Sequence, residues 1–523
     1  MGEALEWRST PELVAVAAER YGDAEALVDG EERLTFRDLG AAVRRAAKGF
    51  VAAGVAPGDR VGIWAPNVGE WVVAALGVHA AGGVLVPVNT RFKGEEAAWV
   101  LGRSGARLVL TVTGFLGTDY VAMLAGIDGV DRVVVLHGDA PDGTTAWDDF
   151  LGAGEEVEDA EVERRSTAVA PDDTSDVIFT SGTTGRPKGV VTTHGQTLRA
   201  FDAWSRIVGL REGDRYLIVN PFFHTFGYKA GFLACLMRGA AIVPHAVFDV
   251  SSVLARVAEE RISMIPGPPT LYASILDAPD RAGLDLSSLR LAVTGAAPVP
   301  VPLIERMREE LTFETVLTAY GLTEATGVVT ICRQDDDPET ISRTSGRAIP
   351  DVEVRIVDDS GTEVERGQPG EIVVRGYNVM QGYFEDPEAT AEAVDELGWL
   401  HTGDIGVMDE AGNVTITDRK KDMFVVGGFN AYPAEIEGTL LRHPGVGQVA
   451  VVGVPDDRMG EVGMAFVIPR PGASVDPEEV VAWSRERMAN YKVPRRVAVV
   501  DALPLNASGK VLKHELRASA AKG

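Results

Sequence analysis

Cysteine is nearly absent from this chain: its 523 residues include two, Cys235 and Cys332. Neither lies in a CxxC or Cys/His spacing, so the sequence supports neither a cysteine metal site nor a disulfide scaffold. Cys235 lies in an apolar run, which predicts a core residue rather than a reactive thiol. The low cysteine content favours a reducing compartment.

Basic residues are also few. The chain has 50 Lys and Arg against 77 Asp and Glu, a net charge of −27. Such a surface repels nucleic-acid backbones and anionic lipid, so we expect no nucleic-acid partner. A small anionic ligand stays compatible with this charge, because local N–H groups and lysines can reverse the field inside a cleft.

A long apolar run is missing too. The longest candidate, residues 71–88, is interrupted by His79 and by Gly82 and Gly83. It predicts a helix over 71–81 and a buried strand over 84–88 rather than a membrane span. The acidic N-terminus has no basic region followed by an apolar one, so we predict no signal peptide. We expect a cytoplasmic protein with no integral membrane segment.

Helix and strand patterns alternate over about the first 170 residues, which predicts parallel sheets covered by helices. The first helix is predicted over 10–21, with Thr10 as its N-cap and Pro11 at its first position. Strands are predicted at 60–64, 108–112 and 132–136. From residue 352 the pattern becomes β-rich with antiparallel character. About 100 C-terminal residues have an α/β pattern of their own, and we place a boundary near 419–422.

A loop rich in small polar residues, 180–189, follows a predicted strand at 176–179. Glycines allow close approach to an anion, and N–H groups, hydroxyls and Lys188 can bind phosphate oxygens. A Walker P-loop is excluded, because Lys188 is followed by glycine and valine instead of serine or threonine. The alternative is a solvated turn, the common role of short Gly/Thr loops.

Five further clusters occur in order along the chain, at residues 221–227, 319–324, 398–404, 418–437 and 504–510. Together with the loop at 180–189 they resemble the motifs of the adenylate-forming superfamily, which contains acyl-CoA synthetases, adenylation domains and beetle luciferases. The resemblance spans about residues 24–516. It implies an α/β fold with a large N-terminal domain of parallel-rich sheets and a β-rich subdomain (1–418), a hinge (419–421) around Lys421, and a small mobile α+β C-terminal domain (422–523).

The resemblance also implies a reaction: acid, ATP and CoA give acyl-CoA, AMP and pyrophosphate through an acyl adenylate. ATP, Mg²⁺ and CoA are the implied cofactors and co-substrates. The implied catalytic residues are Lys510, Glu324, His224 and Thr184, with Glu324 binding the metal and Lys510 bridging the α-phosphate and the acid. The implied ATP/AMP-binding residues are Thr180, Ser181, Gly182, Thr183, Thr184, Gly185, Lys188, Gly295, Ala296, Ala319, Tyr320, Gly321, Thr323, Asp404 and Arg419.

Each of these residues has a structural alternative when taken alone. Tyr320 could be a core aromatic, Asp404 a turn residue and Lys510 a solvated lysine. By the same resemblance, Gly427, Gly428 and Phe429 line the pantetheine tunnel. The implied acyl pocket consists of His224, Phe226, Gly227, Lys229, Pro268, Thr294, Gly295 and Gly321. Lys229 is the one charge in this apolar wall, and its alternative is a solvent-facing residue or the partner of an acidic residue.

The segments 220–231, 266–270 and 293–296 resemble a narrower group, the actinobacterial ligases of steroid breakdown. Those enzymes activate the propionate side chain of the methyl-hydrindanedione that remains from rings C and D. The resemblance implies this acid as substrate, with Lys229 or Tyr228 donating to a ring ketone. The alternatives are a fatty-acid or aryl-acid CoA ligase, an enzyme that loads a carrier protein, and a catalytically silent acyl-adenylate-binding protein. A homodimer is an open alternative for the oligomeric state.

Overall fold

The computed structural model of the chain describes residues 5–180, 187–295, 299–419, 422–426, 429–456, 459–488, 490–505 and 511–520. The α-helices are α1 (Thr10–Tyr21), α2 (Phe36–Ala52), α3 (Gly69–Ala80), α4 (Gly94–Ser104), α5 (Tyr120–Leu124), α6 (Trp147–Gly152), α7 (Asp159–Ala168), α8 (His194–Val208), α9 (Ala234–Arg238), α10 (Val250–Glu260), α11 (Pro269–Asp277), α12 (Val301–Glu310), α13 (Pro338–Arg343), α14 (Pro387–Ala393), α15 (Pro433–Leu440), α16 (Pro477–Arg485) and α17 (Lys513–Ala520). A π-helix spans Phe226–Leu233, and short 3₁₀ helices span Pro279–Arg281 and Thr323–Ala325.

The strands are β1 (Glu25–Asp29), β2 (Glu32–Thr35), β3 (Arg60–Trp64), β4 (Val84–Pro87), β5 (Leu108–Val112), β6 (Arg132–His137), β7 (Thr145–Ala146), β8 (Thr174–Thr180), β9 (Lys188–Thr193), β10 (Arg215–Ile218), β11 (Ala241–Pro244), β12 (Leu291–Thr294), β13 (Thr315–Tyr320), β14 (Thr330–Ile331), β15 (Arg347–Ala348), β16 (Val352–Val357), β17 (Gly370–Gly376), β18 (Gly382–Tyr383), β19 (Leu400–Met408), β20 (Val414–Arg419), β21 (Phe424–Val426), β22 (Phe429–Ala431), β23 (Val446–Asp456), β24 (Gly460–Pro469) and β25 (Arg496–Val499).

The predicted elements of the N-terminal part are present. The strands predicted at 60–64 and 108–112 are β3 and β5, and the predicted helix over 71–81 is α3, followed by the buried strand β4. The predicted N-cap of α1 was wrong by one residue. Ser9 has the extended cap conformation and accepts a hydrogen bond from the Glu12 N–H. Thr10 already belongs to the helix, and its hydroxyl contacts His194 Nδ1 at 2.9 Å.

The chain divides into two compact units, residues 1–354 with 374–400, and residues 355–373 with 401–523. The second unit therefore includes β20 and most of β19, which lie before the boundary expected at 419–422. Compactness and hinge motion are different properties, so the hinge at Lys421 stays a prediction.

The first unit contains an eight-stranded sheet in the order β18–β9–β8–β4–β3–β5–β6–β7. Its strands pair in parallel from β8 through β7, as the alternating pattern predicts, whereas β9 runs antiparallel to β8 and to β18. The antiparallel hairpin β8–β9, flanked by the short edge strand β18, carries the polar loop.

Two further sheets of the first unit have the orders β10–β11–β1–β2 and β12–β13–β14–β15. Single-residue bridges from Met264 to Tyr216 and to Leu291 connect them. Strands β12 and β13 are parallel, with Thr294 opposite Thr318. Their carboxyl ends therefore lie side by side, the position at which open α/β sheets bind ligands.

The second unit has its own sheet, in which β24 pairs antiparallel with β21 and β23 and in parallel with β25. The helices of this unit include α15 and α16, in keeping with the predicted α/β pattern. A separate apolar core fills this unit, with members such as Phe424, Val452, Phe466 and Leu516. A hydrophobic core of its own is expected of a C-terminal domain that folds around its own sheet.

Both cysteines are buried and free. Burial raises the pKa of the Cys235 thiol well above its usual value, so the predicted core role is confirmed and a reactive thiol is not supported. Across the described residues, we find no helix with both the length and the apolar character needed to cross a bilayer.

A buried histidine pair in the first unit should make stability depend on pH. Burial lowers the pKa of His79 to about 4 and that of His194 well below 6.5. These histidines stay neutral in the fold but take up protons in the unfolded chain below pH 6.5, so stability is present above that pH and falls as the pH drops towards 4. For His79 the free energy of unfolding should fall by about 2 kcal/mol between pH 7 and pH 5.

Urea unfolding of wild type, His79→Gln and His137→Gln at pH 7 and pH 5 measures this effect. His79→Gln should flatten the pH dependence, whereas substitution of the exposed His137 should leave it unchanged. Equal pH dependence in all three proteins would contradict the assignment.

Candidate active site

The polar loop at 180–189 starts and ends on the hairpin β8–β9. The register places Thr180 directly opposite Lys188, so both ends of the loop lie at one edge of the sheet. Residues 181–186 lie outside the described part of the chain. Position 189 requires a small residue, since a Cβ on Gly189 would lie 2.8 Å from Val177 Cγ1 and 3.0 Å from Phe179 Cζ. The hairpin therefore supplies a hydroxyl and a cation side by side.

A carboxylate from a different sheet joins them. Glu324 lies in the 3₁₀ turn Thr323–Ala325, four residues after the end of β13. The Thr180 hydroxyl donates to Glu324 Oε1 at 3.3 Å, and the Tyr383 hydroxyl donates to the same oxygen at 3.1 Å. The Met380 N–H donates to the Glu324 carbonyl at 2.8 Å and holds the turn in place. The structure thus brings together three predicted residues, Thr180, Lys188 and Glu324.

Tyr383 is a member of this cluster that the sequence did not indicate. It lies on the two-residue strand β18, opposite Val190 of β9. The Lys188 ammonium lies 5.0 Å from the centre of its ring. Burial raises the pKa of Tyr383, and the neighbouring Glu324 carboxylate raises it further, so the phenol stays protonated and donates. An isolated Gly-Tyr pair gives no sequence signal for this contact, which depends on strand pairing.

A second group of predicted residues lies at the carboxyl ends of β12 and β13. A Cβ on Gly295 would lie 3.1 Å from the Ala319 carbonyl oxygen, so the chain is closely packed where the two strands end. Tyr320 follows on β13 and Thr323 lies in the turn, both buried. A Cβ on Gly321 would lie 2.1 Å from the Gly327 carbonyl oxygen, so this turn requires glycine at position 321.

The aromatic turn at 221–227 leads into the π-helix Phe226–Leu233. A Cβ on Gly227 would lie 2.2 Å from the Pro221 carbonyl oxygen, which explains the glycine. His224 is exposed, and its Nδ1 accepts a hydrogen bond from the Phe226 N–H at 3.3 Å. Short π-helical segments occur frequently at functional sites.

Two other predicted pocket residues lie on neighbouring elements. Pro268 is exposed at the N-terminus of α11, and Thr294 is buried at the end of β12. Within the described residues the Thr294 hydroxyl has no hydrogen-bond partner. The Gly267 N–H donates to the Val293 carbonyl at 3.0 Å, so the segment before α11 lies against β12.

Lys229, the single charge in the predicted acyl wall, pairs with an acidic residue. Its Nζ lies 2.9 Å from Asp176 Oδ1 and 2.7 Å from Thr192 Oγ1, and both charged side chains are fully buried. The Tyr228 hydroxyl likewise has a partner, His79 Nε2, at 2.8 Å. The structure therefore favours the alternative of a buried ion pair over donation from Lys229 or Tyr228 to a ligand ketone.

In the second unit, Asp404 lies on β19 directly opposite Arg419 of β20. Asp404 is buried, and its N–H donates to the Thr402 hydroxyl oxygen at 3.1 Å. Gly403, just before it, has a left-handed backbone with φ of 68°, which favours glycine. The hairpin thus places two residues predicted to contact the same nucleotide at facing positions of one ladder.

Several predicted residues lie outside the described part of the chain. They are Ser181, Gly182, Thr183, Thr184, Gly185, Ala296, Lys421, Gly427, Gly428 and Lys510. Phe429 begins β22, which pairs with β21. The roles expected for all of these residues stay predictions.

The donor set near the loop fits a magnesium ion bound with phosphate. Mg²⁺ prefers oxygen ligands and typically takes one or two carboxylates, completing its shell with phosphate and water. Among the described residues no cluster of three or more His, Cys, Asp or Glu side chains could hold a metal. Glu324 is the carboxylate beside Thr180 that would hold the ion together with phosphate oxygens. Thr180 and Tyr383 orient that carboxylate by donating to the same oxygen.

A glycine-rich sequence between two strand ends, with a carboxylate beside them, is a pattern typical of phosphate-binding sites on α/β scaffolds. Comparison with known proteins gives its class. Residues 14–384 match the family described as AMP-binding enzyme, and residues 435–510 match the AMP-binding enzyme C-terminal domain. The chain belongs to the AMP-binding enzyme family.

Two relatives are similar over nearly the whole chain. A protein of Rhodococcus jostii (strain RHA1), 54% identical over 97% of this chain and 98% of its own, is named 3-[(3aS,4S,7aS)-7a-methyl-1,5-dioxo-octahydro-1H-inden-4-yl]propanoyl:CoA ligase. A protein of Mycobacterium tuberculosis with the same name is 51% identical over 98% of each chain. Among solved structures, o-succinylbenzoate CoA synthetase from Bacillus subtilis with its acyl-adenylate intermediate has a TM-score of 0.84 and 31% identity, covering 98% of this chain and 99% of that one.

Proposed function

We propose that this chain is an ATP-dependent carboxylic acid:CoA ligase that works through an acyl adenylate. The observation that carries the proposal is the convergence of Thr180, Lys188 and Glu324 at the end of the hairpin β8–β9, in a chain of the AMP-binding enzyme family. The names of the two relatives at 54% and 51% identity support CoA as the acceptor.

In the first half-reaction an acid oxygen attacks the α-phosphorus of ATP. The new bond joins the carboxylate oxygen to phosphorus, and the bond to the pyrophosphate oxygen breaks. Both reactants are anions, so the protein must neutralise charge and align the reacting atoms more than it must move protons. In this proposal Thr180 and Lys188 would hold the leaving phosphates, and Glu324 would hold the Mg²⁺ that binds with them.

Other residues are proposed to position the nucleotide. Tyr320 packs on the adenine, Gly295 and Ala296 form part of the opposite wall, and Thr323 contacts the α-phosphate. Asp404 accepts hydrogen bonds from the ribose hydroxyls with the help of Arg419, which is consistent with their facing positions on β19 and β20. Lys510 neutralises the charge that develops between acid and phosphate.

In the second half-reaction the CoA sulfur attacks the acyl carbon and AMP leaves with the oxygen it gained. The thiol proton is released to solvent. His224 lies on the turn before the proposed acyl helix, and in this proposal it lies near the path of the thiol. The rotation at Lys421 and the tunnel past Gly427, Gly428 and Phe429 are further parts of this proposal. ATP and CoA as substrates, and the scarcity of cysteine, favour the cytoplasm as the compartment.

The proposed acid is the propionate of the methyl-hydrindanedione. Two relatives above 50% identity are named for this acyl group. The predicted wall contains apolar groups such as Phe226, Gly227 and Pro268, and the buried Thr294 hydroxyl is a donor that could meet a ring ketone. Lys229 is not proposed to donate to the ketone, because its ammonium pairs with Asp176.

A panel of acids with ATP and CoA tests the substrate. The hydrindanedione propanoate should exceed octanoate and ferulate in kcat/KM by at least roughly tenfold, since a site built around ring ketones discriminates against acids without them. Equal or better activity with octanoate would contradict the steroid-derived acid and leave a fatty-acid ligase. Replacing CoA by a carrier protein with its pantetheine arm distinguishes a CoA ligase from an enzyme that loads a carrier protein.

Tyr383→Phe should weaken adenylation while leaving the fold intact. The change removes the hydroxyl that donates to Glu324 but keeps the ring under Lys188. We expect kcat/KM for MgATP to fall about tenfold, the usual effect of losing a hydrogen bond to a charged group. Tyr377→Phe is the matched control, because the Tyr377 ring lies beside Arg199 and not beside Glu324. Unchanged kinetics in Tyr383→Phe, measured by acid-dependent ATP–pyrophosphate exchange, would refute the role of this hydroxyl.

A further inference from the structure

A complete polar network surrounds the buried Lys229. Its Nζ lies 2.9 Å from Asp176 Oδ1 and donates to Thr192 Oγ1 at 2.7 Å. The Thr192 hydroxyl donates in turn to Asp176 Oδ1 at 2.8 Å, and the Ser175 hydroxyl donates to Asp176 Oδ2 at 2.6 Å. Each charge is therefore paired and hydrogen-bonded, which is the condition for keeping charges in a dry interior.

The network joins two elements with different tasks. Lys229 lies in the π-helix Phe226–Leu233, which borders the proposed acyl pocket. Asp176 and Thr192 face each other on β8 and β9. Thr180 and Lys188, the two ends of the phosphate loop, lie four residues further along the same strands, about 13 Å away at the usual rise per residue. Lys229 thus attaches the helix to the base of the hairpin that carries the loop.

A second contact fixes the same helix at the preceding residue. The Tyr228 hydroxyl lies 2.8 Å from His79 Nε2 on α3, and both side chains are buried. The His79 ring packs edge-on against His194, the first residue of α8, at 5.0 Å. Two consecutive residues of the π-helix are therefore held by polar partners from α3, β8 and β9.

Stability alone is a weak reason for this arrangement. Replacing a buried ion pair by apolar residues of similar volume is often neutral or stabilising. The pair does, however, allow one placement of the helix relative to the hairpin, because both charges must stay paired. A shift of about 1 Å between reacting groups can cost about a hundredfold in rate.

We propose that the Lys229–Asp176 pair with Thr192 is a positioning device, which holds the acyl-binding helix in register with the phosphate hairpin and so aligns the acid with the α-phosphate of ATP. The proposal rests on the proposed function. Lys229 acts through the helix and the hairpin rather than by touching substrate. Its effect belongs to the first half-reaction, where acid and triphosphate must be aligned, and not to thioester formation after pyrophosphate has left.

Two sets of variants test the device. Thr192→Val removes the hydroxyl that Lys229 and Asp176 share, and Thr192→Ser keeps it. The double variant Lys229→Met/Asp176→Asn removes both charges and leaves no buried charge unpaired. We expect Thr192→Val and the double variant to lower kcat/KM for the acid in acid-dependent ATP–pyrophosphate exchange by about tenfold to a hundredfold. Thr192→Ser should stay close to wild type, and thioester formation from a supplied acyl adenylate should change little in all of them.

The control is another ion pair of the same unit, between the half-buried Arg290 and the buried Asp214, whose Nε–Oδ1 distance is 2.8 Å. Arg290→Met/Asp214→Asn can change the melting temperature but should leave the acid kinetics at the wild-type level. Wild-type acid kinetics in both Thr192→Val and the Lys229/Asp176 double variant would overturn the positioning role, as would equal loss of both half-reactions. If wild type itself shows no acid-dependent exchange, the proposed function fails instead, so the two failures are distinguishable.

Discussion

Glu324→Gln should reduce adenylation roughly a hundredfold to a thousandfold, the effect of removing one preorganised electrostatic group from a reaction centre. Glutamine keeps an oxygen that can accept from Thr180 and Tyr383, so the local hydrogen bonds survive. It removes the negative charge that would bind Mg²⁺ beside the phosphates. The variant should therefore stay folded but need higher concentrations of MgATP for exchange.

Acid-dependent ATP–pyrophosphate exchange over a range of Mg²⁺ concentrations measures this effect. Glu353→Gln is a matched control, because Glu353 is a carboxylate of the same unit that pairs with Arg375. That variant should retain wild-type exchange. Full exchange in Glu324→Gln at low Mg²⁺ would exclude Glu324 as the metal-binding carboxylate.

Lys510→Ala should abolish adenylation and spare the second half-reaction. The proposed role of Lys510 is to neutralise the charge that develops when the acid attacks the α-phosphate, and that charge has no counterpart in thiol attack on the finished adenylate. We expect ATP–pyrophosphate exchange to fall by at least about a hundredfold. Thioester formation from a supplied acyl adenylate and CoA should stay near the wild-type rate.

Lys513→Ala controls for a lysine nearby in sequence whose ammonium pairs with Glu437 at 2.9 Å. It should leave both half-reactions close to wild type. Equal loss of the two half-reactions in Lys510→Ala would show that this lysine supports the fold or both steps. The proposal that Lys510 acts only in the adenylation half-reaction would then be wrong.

The sequence was sufficient to predict several strands of the large sheet in the first unit. The runs at 60–64 and 108–112 are apolar, short and bounded by turn residues, and they are β3 and β5. It also predicted that the loop at 180–189 follows a strand. Local patterning carries this information, because burial on both faces of a parallel sheet demands continuous apolar runs.

The contacts of Glu324 and Lys229 could not be predicted in the same way. Tyr383 reaches Glu324 because β18 pairs with β9, and a two-residue strand leaves almost no pattern in a sequence. The partner of Lys229 is Asp176 on β8, and no sequence periodicity links these two positions. From the sequence, the Lys229 side chain could lie in the acyl pocket, in solvent or beside an acidic residue. Only the tertiary packing shows that it lies beside an acidic residue.

The first unit brings residues of separate sheets into contact through side chains. Thr180 and Lys188 come from the hairpin β8–β9, and Glu324 comes from the turn after β13. Asp404 and Arg419 face each other on a hairpin of the second unit. The motifs are thus distant in sequence. Thr180, Lys188 and Glu324 lie at strand ends or in a turn, where polar groups can be presented without disturbing a core, whereas Asp404 lies within β19.

Acyl-adenylate formation is the most direct test of the central claim. Wild-type protein is incubated with the hydrindanedione propanoate, ATP and Mg²⁺, first without CoA and then with it, and the products are identified by mass spectrometry. We predict acid-dependent acyl adenylate and pyrophosphate without CoA, and acyl-CoA with AMP when CoA is added. Formation of ADP and phosphate, or the absence of acid-dependent pyrophosphate with every acid of the panel, would contradict it.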